Sequence, residues 1–395
     1  MEAARGTQNA WKYQCGTEEI MFKRYKIRDY DFKLILMVLC LSAVGVMAIG
    51  SAEETLQTRQ LAGVIAGVFT MIVISFIDYN MVLKLNWLMY IGNLALLIAV
   101  WKFGSDANGA QRWLQIGGSG GIRFQPSETA KILLILFFAQ FIMKHRKNLN
   151  TVWIIGCCIV MIALPWVLVY KQPDLSTSIV ILVLFCVVMF AGGISLKLVF
   201  GVLMVAVPAV ALVIALALQP ENDFLTNNQR NRVLAFVNPE EYATTYAYQQ
   251  LNSVKAIASG QLEGKGYKNN KITSVKNGNF LSEAETDFIF SVIGEEFGFK
   301  GSVVVIVLLF AISLECISVA RKAKDLAGTI IGAGMGGLIA FQGFFNIGVA
   351  TFILPNTGLP LPFVSYGLTS LMSLYMGMGF VLNVRLQARK NQHNE

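Results

Sequence analysis

Long apolar runs set the terms for this chain. A helix needs about 20 predominantly apolar residues to cross the hydrocarbon core of a bilayer. Ten runs come within a few residues of that length: 32–52, 60–77, 82–101, 128–143, 152–170, 177–194, 197–218, 300–320, 328–353 and 365–385. Inside lipid each backbone N–H and C=O must be satisfied within its own segment, so such runs have to be helices. The expected fold is an all-α integral membrane protein of ten transmembrane helices, with a large extracytoplasmic loop between helices 7 and 8. Composition agrees, since 55% of the 395 residues are hydrophobic and only 14% charged, against about 25% charged in a soluble domain. Too little polar surface remains to cover a water-soluble particle. Disulfide scaffolds, disordered chains and nucleic-acid-binding modules are therefore excluded. The fourth run is the shortest and carries Lys131 near its start. The first is too long and too far from residue 1 for a cleaved signal peptide, and lacks a small-residue cleavage site. Met21, followed by Phe-Lys-Arg-Tyr, offers a second start.

Lys and Arg placement orients the spans, because bilayer proteins keep these residues on the cytoplasmic side. The net charge of +8 thus needs no nucleic acid. With ten spans the termini share one side, which collects Lys23, Arg24, Lys26 and Arg28, then Lys144, Arg146 and Lys147, then Arg321, Lys322 and Lys324, and finally Arg385, Arg389 and Lys390. The expectation is a cytoplasmic tail over 1–31, a membrane domain over 32–386, an external segment over 219–299 and a second cytoplasmic tail over 387–395. Cys15, Cys40, Cys157, Cys158, Cys186 and Cys316 show neither disulfide nor zinc spacing. His145 and His393 sit beside basic clusters, which argues against histidine chemistry.

The external segment is too long to be an ordinary connection and too rich in aromatic and aliphatic residues to be disordered. Glu241–Ile257 reads as an amphipathic helix, while Leu262–Asn279 is rich in Gly, Lys and Asn. Over Ser282–Phe297 a capping-box spacing of Ser282 and Glu285 precedes a polar stripe of Asp287, Ser291 and Glu295. Ile289, Val292, Ile293 and Phe297 fall on the other face, which predicts a helix lying at the membrane interface. Asp287 stands out because Phe-Ile-Phe follows it at once. Such a carboxylate can serve as a general base or as a ligand for a hard divalent cation. In the blander reading it is a first-turn acid that stabilises its helix by about 0.3–1 kcal/mol.

Further charged groups lie where spans meet the external side: Arg112 beside Trp113, Glu128 three residues before Lys131, Lys171 before Asp174, Arg230 and Arg232 after the seventh span, and Lys265 between glycines. Ionisable groups at membrane depth face cavities and pair, so together they suggest a basic cleft for a lipid-linked anion. Interfacial snorkelling and salt bridging is the structural alternative for each one singly.

Six segments in order then resemble one family. Leu354-Pro-Asn-Thr-Gly-Leu-Pro-Leu-Pro-Phe-Val-Ser-Tyr-Gly367 looks like the signature of the SEDS family, comprising RodA, FtsW and SpoVE. Gln125-Pro-Ser-Glu128 with Lys131, Gln172-Pro-Asp-Leu175, Arg232-Val-Leu-Ala-Phe236 with Pro239, Gly264-Lys-Gly-Tyr267 and Glu285-Thr-Asp-Phe-Ile-Phe290 support it. The likeness runs from about residue 30 to 386 and is closest to RodA. Ser282, Glu285, Ser176 and Leu368 depart from the family's usual residues.

The resemblance implies a peptidoglycan glycosyltransferase that polymerises lipid II, a disaccharide–pentapeptide on undecaprenyl diphosphate, outside the bacterial cytoplasmic membrane. It implies a class B penicillin-binding protein and other cell-wall synthesis components as partners, in elongation, division or sporulation. The family's essential acid falls on Asp287 and its early-loop tryptophan on Trp113, while Glu128, Lys131 and Asp174 belong to the same cavity. Arg112, Lys131 and Lys265 are the expected holders of the departing diphosphate, with Arg232 as a further substrate contact. A divalent cation such as Mg²⁺ or Mn²⁺ is expected and a nucleotide is not, since the donor is already activated and no phosphate-binding glycine loop occurs. A lipid II flippase and a non-catalytic scaffold are the competing functions. Spans nearly free of ionisable groups at mid-depth disfavour the flippase.

Overall fold

The computed structural model describes residues 30–388 except 108–109, 117–121, 173, most of 200–226, 269–280 and 282. Its helices are α1 (Phe32–Ala52), α2 (Glu54–Phe76), α3 (Tyr79–Lys84), α4 (Asn86–Phe103), α5 (Pro126–Lys144), α6 (Val152–Lys171), α7 (Leu175–Ala191), α8 (Asn227–Val237), α9 (Tyr248–Gly260), α10 (Ile289–Lys322), α11 (Leu326–Ala350) and α12 (Leu368–Leu386). Seven of these (α1, α2, α4, α5, α6, α10 and α11) are long and apolar enough to cross a membrane, and α7 is a shorter apolar helix. With α12 they cover nine of the ten expected runs. The seventh run, 197–218, lies mostly outside the described residues, so the count of ten is not established. The chain is an all-α membrane protein.

Local chemistry explains the helix starts. Asp31, Asp174 and Asp325 accept from the third backbone N–H beyond them, on Leu34 (3.0 Å), Thr177 (3.2 Å) and Gly328 (2.8 Å), satisfying donors that a helix start leaves orphaned. Pro126 opens α5, where its missing N–H removes nothing. The least certain run on sequence, α5, is the most enclosed of the spans: 83% of its apolar window is buried, against 22% for α6. A helix surrounded by helices can hold a charge that a lipid-facing one cannot, which accounts for Lys131 there.

Two features depart from expectation. Between α4 and α5 the chain forms an antiparallel sheet, β1 (Ser105–Ala107), β2 (Ala110–Ile116) and β3 (Ile122–Phe124), in the order β1-β2-β3. The helix expected over Ser282–Phe297 begins only at Ile289, and Ser282 itself lies outside the described residues. Nor does it turn an apolar face outward. Ile289 through Glu296 are all buried, apolar and polar faces alike. One side of it is covered by α9, where the Ser253 and Ser291 hydroxyls share a hydrogen bond and Ser253 also donates to Ala350 O at 2.6 Å. The apparent amphipathic stripe reflects two kinds of protein neighbour, not water and lipid. At Gly298, φ +64° turns this buried stretch into the spanning part of α10.

Candidate active site

The segment from Leu354 to Gly367, between α11 and α12, contains no helix or strand. Pro355, Pro360 and Pro362 lack N–H groups, so the segment has few donors for its own carbonyls; Leu361 O accepts from Val364 N and Ser365 N within it. Side chains from five helices satisfy others. Gln60 of α2 donates to Ser365 O (3.4 Å), Gln250 of α9 to Leu354 O (2.9 Å), and Arg232 of α8 to Asn356 O (3.4 Å). Gln342 and Asn346 of α11 donate to Pro360 O (3.1 Å) and Leu359 O (2.7 Å), and Ser176 of α7 donates to Thr357 O. An irregular strip of backbone is thereby fixed at one end of the bundle.

Asp287 rests against this strip, in the turn just before α10. Gly358 has φ +74°, and a Cβ built there would lie 3.1 Å from Asp287 Oδ2. Glycine is required twice over, for its left-handed backbone and for the room it leaves the carboxylate. Asp287 is half-buried. Among the described residues no salt bridge or side-chain hydrogen bond engages its carboxylate. Burial pushes its pKa from 3.8 up to about 6; Glu283 and Glu285 add to the rise, while the guanidiniums of Arg232 and Arg112 oppose it. The neighbouring Glu285 is raised as well, mainly by burial. A carboxylate balanced near neutrality, exposed in part and flanked by two cations is suited to accept a proton beside a departing anion.

The other sequence candidates fall into three groups. Arg112, on β2, donates to Gln172 O at 3.4 Å and lies 3.9 Å from Asp174. Arg112, Asp174, Arg232 and Asp287 therefore share one neighbourhood, since the charges of Arg112, Asp174 and Asp287 all act on Arg232. Trp113 follows on the same strand, opposite Ser105 of β1, while Gln111 pairs with Asp106, so the register shifts at Arg112 and the regular alternation of faces is interrupted there. Glu128 and Lys131 form a second group. Their ion pair of 2.8 Å has side chains only 4% and 1% exposed, and Lys131 reaches Gln342 at 3.3 Å. Because Gln342 also holds Pro360 O, this pair lies beneath the proline strip and supports it. Lys265 belongs to a third group, paired at 2.7 Å with the buried Glu295 two turns along α10 from Asp287. Both lysine ammoniums are thus taken up in ion pairs, unlike the expectation that placed them on a diphosphate beside Arg112.

Sequence reasoning passed over Ser176, Gln342, Asn346 and Ser365. Gln342 and Asn346 gave one signal, being polar inside an apolar run, where an unsatisfied hydrogen-bonding group is expensive; Ser176 stood out only as a departure from the family and Ser365 only as part of its signature.

Comparison with known proteins gives the family. The FtsW/RodA/SpoVE family model, described as cell cycle protein, matches residues 30–390. Peptidoglycan glycosyltransferase MrdB of Escherichia coli (strain K12) is 33% identical over 354 residues, 89% of this chain and 91% of that protein. A probable peptidoglycan glycosyltransferase FtsW of Trichlorobacter lovleyi is 31% identical over 384 residues, covering 93% and 96%. Among solved structures, a chain of a peptidoglycan synthase complex that coordinates polymerization and crosslinking superposes with TM-score 0.71 at 29% identity, covering 90% of this chain and 97% of that one. The rod shape determining protein RodA of Thermus thermophilus gives TM-score 0.66 at 26% identity, covering 92% and 98%. With a match over nearly its whole length and a third of its positions shared with a curated member, this chain belongs to the FtsW/RodA/SpoVE family of membrane proteins.

Proposed function

We propose that this protein is a peptidoglycan glycosyltransferase that polymerises lipid II at the outer face of the bacterial cytoplasmic membrane. In this reading the tails 1–31 and 387–395 are cytoplasmic and 219–299 is extracytoplasmic, so that Asp287 meets substrate from the outer leaflet. A class B penicillin-binding protein works beside it, in keeping with the peptidoglycan synthase complex to which the fold is similar.

The reaction makes one bond and breaks one. A sugar 4-hydroxyl oxygen attacks the anomeric carbon of the lipid-linked sugar, and the bond from that carbon to the diphosphate oxygen breaks with its electron pair leaving on the diphosphate. Asp287 accepts the hydroxyl proton. Arg112 and Arg232 steady the charge that grows on the departing diphosphate. Asp174 keeps Arg112 in place and caps α7. The buried pair of Glu128 and Lys131, and the part-buried pair of Lys265 and Glu295, brace the elements around Asp287. Trp113 offers an aromatic surface to substrate from the sheet.

A divalent cation fits the donor set. Asn356 Oδ1 and Thr357 Oγ1 are two buried oxygens with no hydrogen-bond partner among the described residues, on the two positions before Gly358, the glycine that Asp287 lies against. Oxygen donors suit Mg²⁺ or Mn²⁺. Among the described residues no three His, Cys, Asp or Glu side chains converge, so protein oxygens, water and the diphosphate would hold the ion together. Such an ion would supply charge neutralisation at the diphosphate.

The observation that carries this reading is a half-buried carboxylate without an ion pair, its pKa raised to about 6. Purified protein given labelled lipid II, a divalent cation and its class B partner should build glycan ladders. Asp287→Asn, present at normal levels in the membrane, should lose about 10²-fold or more of that rate. A near-normal rate in this variant would sink the assignment and leave the scaffold reading. Lipid II translocated into vesicles without ladders would favour the flippase.

A further inference from the structure

The Asp287 carboxylate lies against Gly358, and among the described residues no side-chain hydrogen bond fixes it, so its position is set through its backbone. Three successive carbonyls of its turn are tied to the proline strip or its neighbours. Glu285 O accepts from Tyr366 N (2.9 Å), Thr286 O from the Ser365 hydroxyl (2.6 Å), and Asp287 O from Asn346 Nδ2 (2.9 Å). Two of these donors are side chains, and each also grips the strip itself. Asn346 Nδ2 donates its other hydrogen to Leu359 O (2.7 Å), and the Ser365 oxygen accepts from Leu361 N (2.7 Å). Asn346 is almost wholly buried, with 1% exposure.

We propose that Asn346 and Ser365 are positioning residues for Asp287, two rivets that fasten its turn to the Leu359–Leu361 backbone and so press its carboxylate against Gly358. This rests on the assignment of Asp287 as the base.

Asn346 is unsuited to a packing role. Its Oδ1 is buried without a hydrogen-bond partner, an expense that a leucine of similar size would remove. What leucine lacks is the two-donor fork, and both donors point at the seam between the turn and the strip. Ser365 is matched to its site in the same way, since one hydroxyl both gives and receives a hydrogen bond across that seam. Reaction geometry is sensitive to such support, because displacement of a catalytic group by about 1 Å can reduce rate by about 10²-fold.

The test uses the full-length protein with its class B partner and lipid II, with rates normalised to folded protein from gel filtration in detergent. Initial rates are taken against lipid II concentration at pH values on both sides of 6. In Asn346→Ala, kcat should fall about 10²-fold with KM nearly unchanged. Its acid limb should move down in pH, because a released carboxylate regains water. In Asn346→Asp the limb should move up, since a new negative charge joins Glu283 and Glu285 against the opposing Arg112 and Arg232. Neither change should lower the residual rate of Asp287→Asn any further. Ser365→Ala should behave as Asn346→Ala does, and carries the test if the Asn346 variants do not fold. An unshifted acid limb with a normal rate per folded molecule would overturn the proposal, as would losses that multiply with Asp287→Asn. If Asp287→Asn itself polymerises normally, the assignment of the base fails instead, and the two failures are told apart.

Discussion

With Asp287 as the proposed base, its protonation should decide whether the site can work. In the folded protein its pKa is about 6, against 3.8 in the ordinary range, with burial as the main cause. Between those values the folded chain keeps a proton that an unfolded chain would release. The fold therefore loses stability as pH rises from 3.8 towards 6, while the charged form needed to accept a proton appears only above about 6. At lipid II well below KM, where the rate reports the free protein, polymerisation should accordingly fall as pH is lowered through about 6, not through about 4 as for an ordinary aspartate. A pH–rate profile of the wild-type protein measures this directly. An acid limb near 4 would mean that Asp287 is well hydrated in the working enzyme.

Among the elements, α5 shows how a charge can serve the site from beneath it. Lys131 and Glu128 are sealed off and paired, and removing one partner strands the other without water. Lys131→Met should thus destabilise the protein by about 3–5 kcal/mol, and the double change Glu128→Gln with Lys131→Met should recover much of that loss. Thermal unfolding in detergent compares the two. Recovery of stability without recovery of activity would place Lys131 on substrate as well. Much of this element level was legible in the sequence. Nine of the ten apolar runs are helices, because lipid leaves an apolar segment no other backbone solution, although α2 starts six residues and α10 eleven residues before the expected run. The sheet was not legible, since its strands have 3, 7 and 3 residues and depend on pairing with one another. The burial of Ile289–Glu296 was hidden too, because periodicity shows that two faces differ but not what covers them. Asp287 itself could be singled out by its Phe-Ile-Phe neighbours. Its support by Asn346 and Ser365 could not, since those residues lie about sixty to eighty positions away and meet it only in the folded bundle.

For the whole molecule, the proposed divalent cation is testable. Chelation of divalent ions should abolish glycan ladders while leaving the protein folded, and Mg²⁺ or Mn²⁺ should restore them. Undiminished ladders under chelation would show that Arg112 and Arg232 suffice for the diphosphate. The proline strip has a broader consequence. Its carbonyls are claimed by Gln60, Ser176, Arg232, Gln250, Gln342 and Asn346, donors spread over almost three hundred residues of chain. No early portion of the polypeptide contains a finished seat for Asp287, so a nascent or truncated molecule has the catalytic side chain without the geometry. Competence arrives only when the last helices close around the first, and sugar-polymerising chemistry is withheld from every incompletely assembled form.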